Sequence, residues 1–341
     1  MSTRMAMMQS AARKQPRQRL LVAAMAAIAI ILPFAAPNAY WLHVVILGLI
    51  HTLPVLGLTL FMGYAGQLSV GHEALYAIGA YTSGILLRRG FPFIVAFAGS
   101  AILPYFAAKA LGLAVLRYVK GIYLAPATLG VSWFLNALLT NLVKLTGGPS
   151  GLTGIPRPAW FRHETQYYFL CLAVVLAVYW AMSRLIDSRA GIAFRSIAGN
   201  DIAAECLGID VYRYKVFALA LSGLCCGLGG ALYASYANYI CPADFSREMA
   251  VRLLCMCIVG GLGNMNGAWM GALILNIVPE LLRASNRLQL VLYGALLISV
   301  LMYWPKGLGG LLDLLLQRGR GATTGAADKY GGPAAEEART A

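Results

Sequence analysis

The sequence predicts an all-α membrane protein of about ten transmembrane helices arranged in two related halves. Composition speaks first: of 341 residues, 60 % are hydrophobic and only 12 % charged, with a mean hydropathy of +0.70. A soluble domain carries about 25 % charged residues, so lipid must solvate much of this surface. The second observation is the recurrence of apolar runs of ~20 residues. The third is charge placement. Arg4, Arg13, Lys14, Arg17 and Arg19 precede the first run, while Arg184, Arg189, Arg213, Lys215 and Lys306 mark the ends of later ones. The net charge of +14 therefore follows the positive-inside rule. It does not form a basic groove with interleaved aromatics, so no nucleic-acid partner is expected.

Taken in order, the apolar runs cover 20–36, 40–62, 68–87, 91–116, 122–143 and 166–182, then 214–237, 249–262, 265–282 and 288–304. The first follows a basic head and could be read as a secretory signal. Its length and the closeness of the next run favour a span. A basic segment at 1–19 places the N-terminus in the cytoplasm. Roughly six crossings return the chain there at 188–210, and four more leave the C-terminus on the same side. Arg88 and Arg89 would then face outward, so the third run is expected to be broken or re-entrant. The run at 249–262 is short, and with 265–282 it could form one hairpin that enters and leaves on one face.

The chain thus reads as a permease domain at 20–312 followed by a disordered Gly/Ala-rich tail at 313–341. The Gly/Pro-rich stretch 144–165 reads as an ordered external loop. Seven cysteines show no CxxC and no disulfide framework; Cys225, Cys226, Cys255 and Cys257 read as small apolar packing residues. Glu248 and Arg252, four apart, are expected to pair on a helix face. No metal or other cofactor is expected, since His43, His51, His72 and His163 are scattered. Neither HExxH nor GxSxG occurs. The phosphate-binding GxxxxGK[ST] is missing too, so the chain has no evident means of hydrolysing ATP itself.

Two glycine patterns echo each other. Gly63-x-x-Gly66-Gln67-x-x-x-Gly71 resembles Gly260-x-x-Gly263-Asn264-x-x-Gly267. Glycine-broken segments at corresponding places in two halves point to a solute path. An unwound turn at membrane depth must line protein or water. Gly63, Gly66, Gln67, Ser69, Gly71, Gly263 and Asn264 are therefore the path candidates, with a tight packing seam as the other reading. Glu73 joins them because a buried carboxylate is expensive, although a place at a helix start would also suit it. In the interval 188–210, Asn200 is an N-cap, Asp201 suits a first turn and Gly208 a C-terminal stop. Ile202, Cys206 and Ile209 should share one side of that helix, with Asp201 and Glu205 on another. So short a helix must pack on something, either this protein's own underside or a soluble partner.

Six segments then bring a family into view. GYAGQLSVGHEALYAIGAY, GIYLAPATLG, LTGGPSGLTGIPRP, AGNDIAAECLGID, VGGLGNMNGAWMGA and YWPKGLGGLL resemble, in the same order, the LivM-type permeases of branched-chain amino acid ABC importers. The resemblance runs from about Met62 to Leu312. It implies a type II importer fold in a bacterial inner membrane and transport of branched-chain or related small amino acids. The partners it implies are a LivH-like second permease, two cytosolic ATP-binding subunits and a periplasmic solute-binding protein. It also implies that 200–210 is the coupling helix that docks on the ATPase, with Arg195, Asn200, Asp201, Glu205 and Gly208 serving that contact. Glu73 stands where relatives usually show a small residue, and Arg252 where they are generally apolar or acidic. Both departures open the alternative of urea, amides or aromatic acids as solutes. A stand-alone channel or a membrane enzyme are the competing classes. A docking helix argues against the first, and the lack of a clustered catalytic set against the second.

Overall fold

Helix α1 (Ala39–Leu58) and the wide turn that prolongs it (Thr59–Tyr64) form the axis of the molecule. The computed structural model describes residues 39–281 except 120, 159, 160 and 162, together with 294, 307, 309 and 310. The expected basic segment 1–19, the runs 20–36 and 288–304 and the tail 313–341 lie outside the described residues, but for Gly294. The apolar rod 39–64 is 26 residues long and 94 % of its most apolar stretch is buried. A helix hydrophobic all round belongs inside a bundle. Thr52 and Thr59 can sit there because each hydroxyl donates to the carbonyl four residues back, at 2.8 Å, which satisfies it without water.

Helix α2 (His72–Arg88) follows after an irregular turn, then α3 (Phe93–Val115) and α4 (Leu124–Asn141). The run expected at 68–87 is a continuous helix from His72 on, preceded by the irregular turn. Helix α5 is one turn (Val143–Thr146), bent 79° from α4 through the stretch to Ser150. Helix α6 (Glu164–Ile186) returns across the bundle. Two short helices, α7 (Arg189–Gly199) and α8 (Asp201–Cys206), lie before the long α9 (Val211–Ala237). Helices α10 (Arg247–Gly260) and α11 (Met265–Leu281) close the described chain. Among the described residues four helices are long and apolar enough to cross a membrane, or five if the bent pair counts as one. At 14 residues, α10 spans ~21 Å, well short of a ~30 Å hydrocarbon core. It packs back on α11 instead, with Gly271 against the Met256 carbonyl and Gly260 against Gly267.

Helix α9 is the second axial element. Its glycines are cut to fit three neighbours. A Cβ on Gly223 would lie 2.6 Å from the Pro104 carbonyl oxygen of α3; one on Gly230 would lie 2.4 Å from the Tyr76 oxygen of α2. One on Gly229 would stand 2.9 Å from Pro54 of α1. Lipid offers no hydrophobic drive for helices to associate, so close backbone packing by small residues supplies it. Helix α3 is peripheral, with 22 % of its apolar stretch buried and Ile94, Leu103 and Phe106 outward.

The Gly/Pro-rich stretch is tied to the far end of α9. Strands β1 (Leu152–Thr153) and β2 (Tyr239–Ile240) pair antiparallel, with Leu152 opposite Ile240. Arg157 donates to the Tyr236 carbonyl at 2.7 and 3.2 Å and lies 4.9 Å over the Tyr236 ring. The pair expected between Glu248 and Arg252 does not form: among the described residues the ion pairs are Asp210–Arg213 and Asp201–Lys215. Glu248 lies in the first turn of α10, where the helix dipole already favours its charge, and ordering two exposed chains returns little.

Candidate functional site

The two glycine patterns meet. A Cβ on Gly63 would lie 2.2 Å from the Gly263 nitrogen and 2.7 Å from its Cα, so only glycine allows this approach. Gly263 itself holds φ +80°, the left-handed region that glycine enters without cost. The chain reaches the contact differently from each side. From α1, the amides of Ala65 and Gln67 reach back to the Leu60 and Phe61 carbonyls at 3.1 Å. These wide turns release the chain from helix at Gly66 (φ +66°). From α10, Gly261 (φ +107°) ends the helix. Asn264 then starts α11, its Oδ1 accepting from the amides of Asn266 at 2.9 Å and Gly267 at 3.3 Å.

A polar lattice opens just past Gly66. Val70 donates its amide to Thr128 Oγ1 of α4 at 3.1 Å, and Gly71 lies against the Thr128 carbonyl. Ser69 Oγ and His72 Nδ1 are 3.0 Å apart, and His72 Nε2 and Ser222 Oγ of α9 also 3.0 Å. Ser222 donates its proton to the Leu219 carbonyl. Its oxygen is therefore placed to accept from His72 Nε2. Glu73 is 1 % exposed. Ser132 of α4 donates to its Oε1, while Oε2 has no partner among the described residues. Four elements thus converge on one buried node: the irregular turn, α2, α4 and α9.

The predicted path residues divide between these two features. Gly63, Gly263 and Asn264 build the seam. Ser69, Gly71 and Glu73 belong to the lattice. Gln67 is buried but turns its amide onto its own Ala65 carbonyl at 3.2 Å. Gly66 points elsewhere: a Cβ there would meet the Ala198 Cα at 2.9 Å, so the irregular turn rests on α7. His72, Thr128, Ser132 and Ser222 were not singled out in sequence. Their partners lie 58 to 150 residues away, and isolated Ser and Thr carry no periodic signal.

Helices α7 and α8 form a pad at one end of the bundle. Asn200 caps α8 through Oδ1, which accepts from Ile202 at 2.9 Å and Ala203 at 3.1 Å. Gly208 ends it at φ +80°. Arg195 braces the elbow from α6, donating to the Ile186 carbonyl at 2.8 Å and Gly191 at 3.2 Å. Asp201 forms an ion pair through one carboxylate oxygen with Lys215 of α9, whose side chain is buried. Ala204, Ile197 and Val211 make a small core beneath the pad. Ile202 (72 % exposed), Leu207 (76 %) and Ile192 (59 %) face outward, and Glu205 and Cys206 are exposed beside them. The apolar side of α8 thus looks away from the bundle. Among the described residues no three His, Cys, Asp or Glu side chains are grouped to hold a metal ion.

A helical membrane protein with two broken segments in contact, a polar node inside and an unsatisfied pad at one end has the parts of a solute permease. The chain belongs to the family of branched-chain amino acid transport system permease components, whose model matches residues 40–301. It is 27 % identical, over 91 % of its length and 79 % of the relative's, to the high-affinity branched-chain amino acid transport system permease protein LivM of Escherichia coli K12. To LivH of the same transport system in that organism it is 26 % identical, over 78 % of this chain and 93 % of the relative. The guanosine ABC transporter permease protein NupQ of Bacillus subtilis is 29 % identical over 51 % of this chain and 60 % of its own. No solved structure matches the chain. As a permease of this family it contributes a membrane subunit to a transporter and no catalytic centre of its own.

Proposed function

We propose that this chain is the LivM-like half of a heteromeric importer for branched-chain or related small amino acids. The observation that carries the reading is the contact of Gly63 with Gly263, which brings two helix breaks from distant parts of the chain to one point. In this reading the full chain has about ten helices in two halves, as in type II importers. The seam and the lattice of Ser69, His72 and Glu73 line or abut the solute path. A LivH-like permease completes that path, and a periplasmic binding protein delivers the solute. Two ATP-binding subunits power the pair, one of them docking on the α7–α8 pad from the cytoplasm of the inner membrane. The exposed Ile202 and Leu207 support docking at the pad, since outward apolar side chains mark an interface. The short links to α6 and α9 fit an element that transmits force.

Orientation is open to test with native cysteines. Cys206 is exposed at the pad, and Cys241 is half-buried beyond the other end of α9. A membrane-impermeant maleimide should label Cys241 from the periplasm and Cys206 only after the cytoplasmic face is opened. Periplasmic labelling of Cys206 would overturn the topology. A Cys at Leu207 should crosslink to the ATPase subunit in the assembled complex; an intact complex without that crosslink would remove the docking assignment. The NupQ relative favours one second reading, a nucleoside solute. Uptake of labelled leucine that excess leucine suppresses and excess guanosine does not would decide for the first.

A further inference from the structure

A groove of about 250 Å³ lies outside the bundle, between the last turns of α3 and the first turns of α9. Its floor is apolar: Leu113, Val216, Phe217 and Ala220. Two cations, Lys109 and Arg213, stand over it, with Tyr105 and Tyr212 in its walls. We propose that this groove holds one anionic phospholipid. Its phosphodiester would sit between Lys109 and Arg213, and an acyl chain would run inward from beside Leu113 over Phe217 and Ala220.

Four observations lead there. First, the groove faces outward, on the helix of which only 22 % of the apolar stretch is buried. Its occupant must therefore tolerate hydrocarbon. Second, depth is right. Lys109 stands six residues before the end of α3, ~9 Å along the axis, within reach of the interface for a side chain that snorkels. Arg213 lies in the first turn of α9, at the same end as the pad. Third, positive charge is in excess: two cations line the groove and Asp210 pairs with one of them. Arg213 spends its Nε on Asp210 at 2.9 Å, leaving the Nη donors to form a phosphate contact. Lys109 is exposed and in no ion pair among the described residues, and exposed Arg117 adds a further positive charge nearby. Fourth, the wall is fixed in advance. Tyr212 donates its hydroxyl to the Leu113 carbonyl at 2.9 Å, so a ligand need not order it. Cations above an apolar trough match an amphiphile with an anionic head, and Tyr212, in the first turn of α9, suits the headgroup level.

The test uses the full chain carrying a photoreactive benzoylphenylalanine at Leu113. It is reconstituted with its partner subunits in vesicles of equal parts phosphatidylglycerol and phosphatidylethanolamine. Mass spectrometry then identifies what is crosslinked. Phosphatidylglycerol should exceed phosphatidylethanolamine at least about fivefold, the ratio that each net juxtamembrane cation gives. The Lys109→Gln/Arg213→Gln double variant should bring the two lipids to parity. A second probe at Ala173, exposed midway along α6, should show parity in the parent chain. That control decides the matter even where the double variant fails to insert. Parity at Leu113, equal enrichment at Ala173, or a crosslink to protein in place of lipid each overturns the proposal.

Discussion

The two glycine-broken segments start alike and end differently. Each leaves a helix at a left-handed glycine, Gly66 at φ +66° and Gly261 and Gly263 at φ +107° and +80°. Beyond their contact at Gly63 and Gly263, the first runs into polar side chains that reach α4 and α9. The second runs into backbone packed on backbone. A Cβ on Gly260 would lie 2.5 Å from the Gly267 oxygen, and one on Gly267 would lie 2.9 Å from the Gly309 Cα. One break therefore ends in a node that can exchange hydrogen bonds, the other in a strut. Glycine spacing marks where backbones meet; the side chains that follow decide what the meeting can do.

Substituting Gly63 by Leu should break the seam itself. The new Cβ would lie 2.2 Å from backbone that cannot move without dragging α11, and overpacking of this kind costs ~3 kcal/mol or more. Inserted, monodisperse protein should fall to background in detergent size-exclusion. A parental profile would show that the two segments do not touch.

The next largest effect separates node from strut. Glu73→Ala leaves the buried Ser132 hydroxyl without its acceptor, which costs ~1–3 kcal/mol. Glu73→Gln keeps an oxygen there and should lose less than ~1 kcal/mol. Thermal unfolding of the two variants checks this. Equal losses would mean that the lattice is only packing. On the strut side, Asn264→Ala should cost ~1 kcal/mol through the lost cap, and Asn264→Ser should recover most of it. Uptake per assembled complex should fall for the Glu73 variants and hold for the Asn264 ones. The reverse pattern would exchange the roles of the two segments.

The smallest effect is a control on glycine itself. Gly130 lies on the exposed side of α4, and a Cβ there would meet nothing within 4 Å. Gly130→Ala should raise stability by ~0.5–1 kcal/mol, because backbone entropy is the only thing that changes. A loss would reveal a neighbour on that face, such as a partner permease.

The sequence by itself determined the class, the order of the long helices and the family, because apolar length, charge asymmetry and six ordered motifs are all local signals. It also placed the cap at Asn200 and the stop at Gly208, since a cap needs only its own next three residues. It located both glycine breaks, but not that they would touch, nor that Gly66 would turn to Ala198 in the pad. Tertiary structure alone decided the rest. Asp201 pairs with Lys215 of α9; Ile202, whose helix could pack on the bundle or on a soluble partner, faces outward; Glu73 found Ser132, and His72 found Ser222. Each of these outcomes depends on which helices become neighbours. A buried polar group in an apolar interior must find a partner wherever the fold brings one, and partners such as Ser132 and Ser222, 59 and 150 residues away, leave no trace in local spacing.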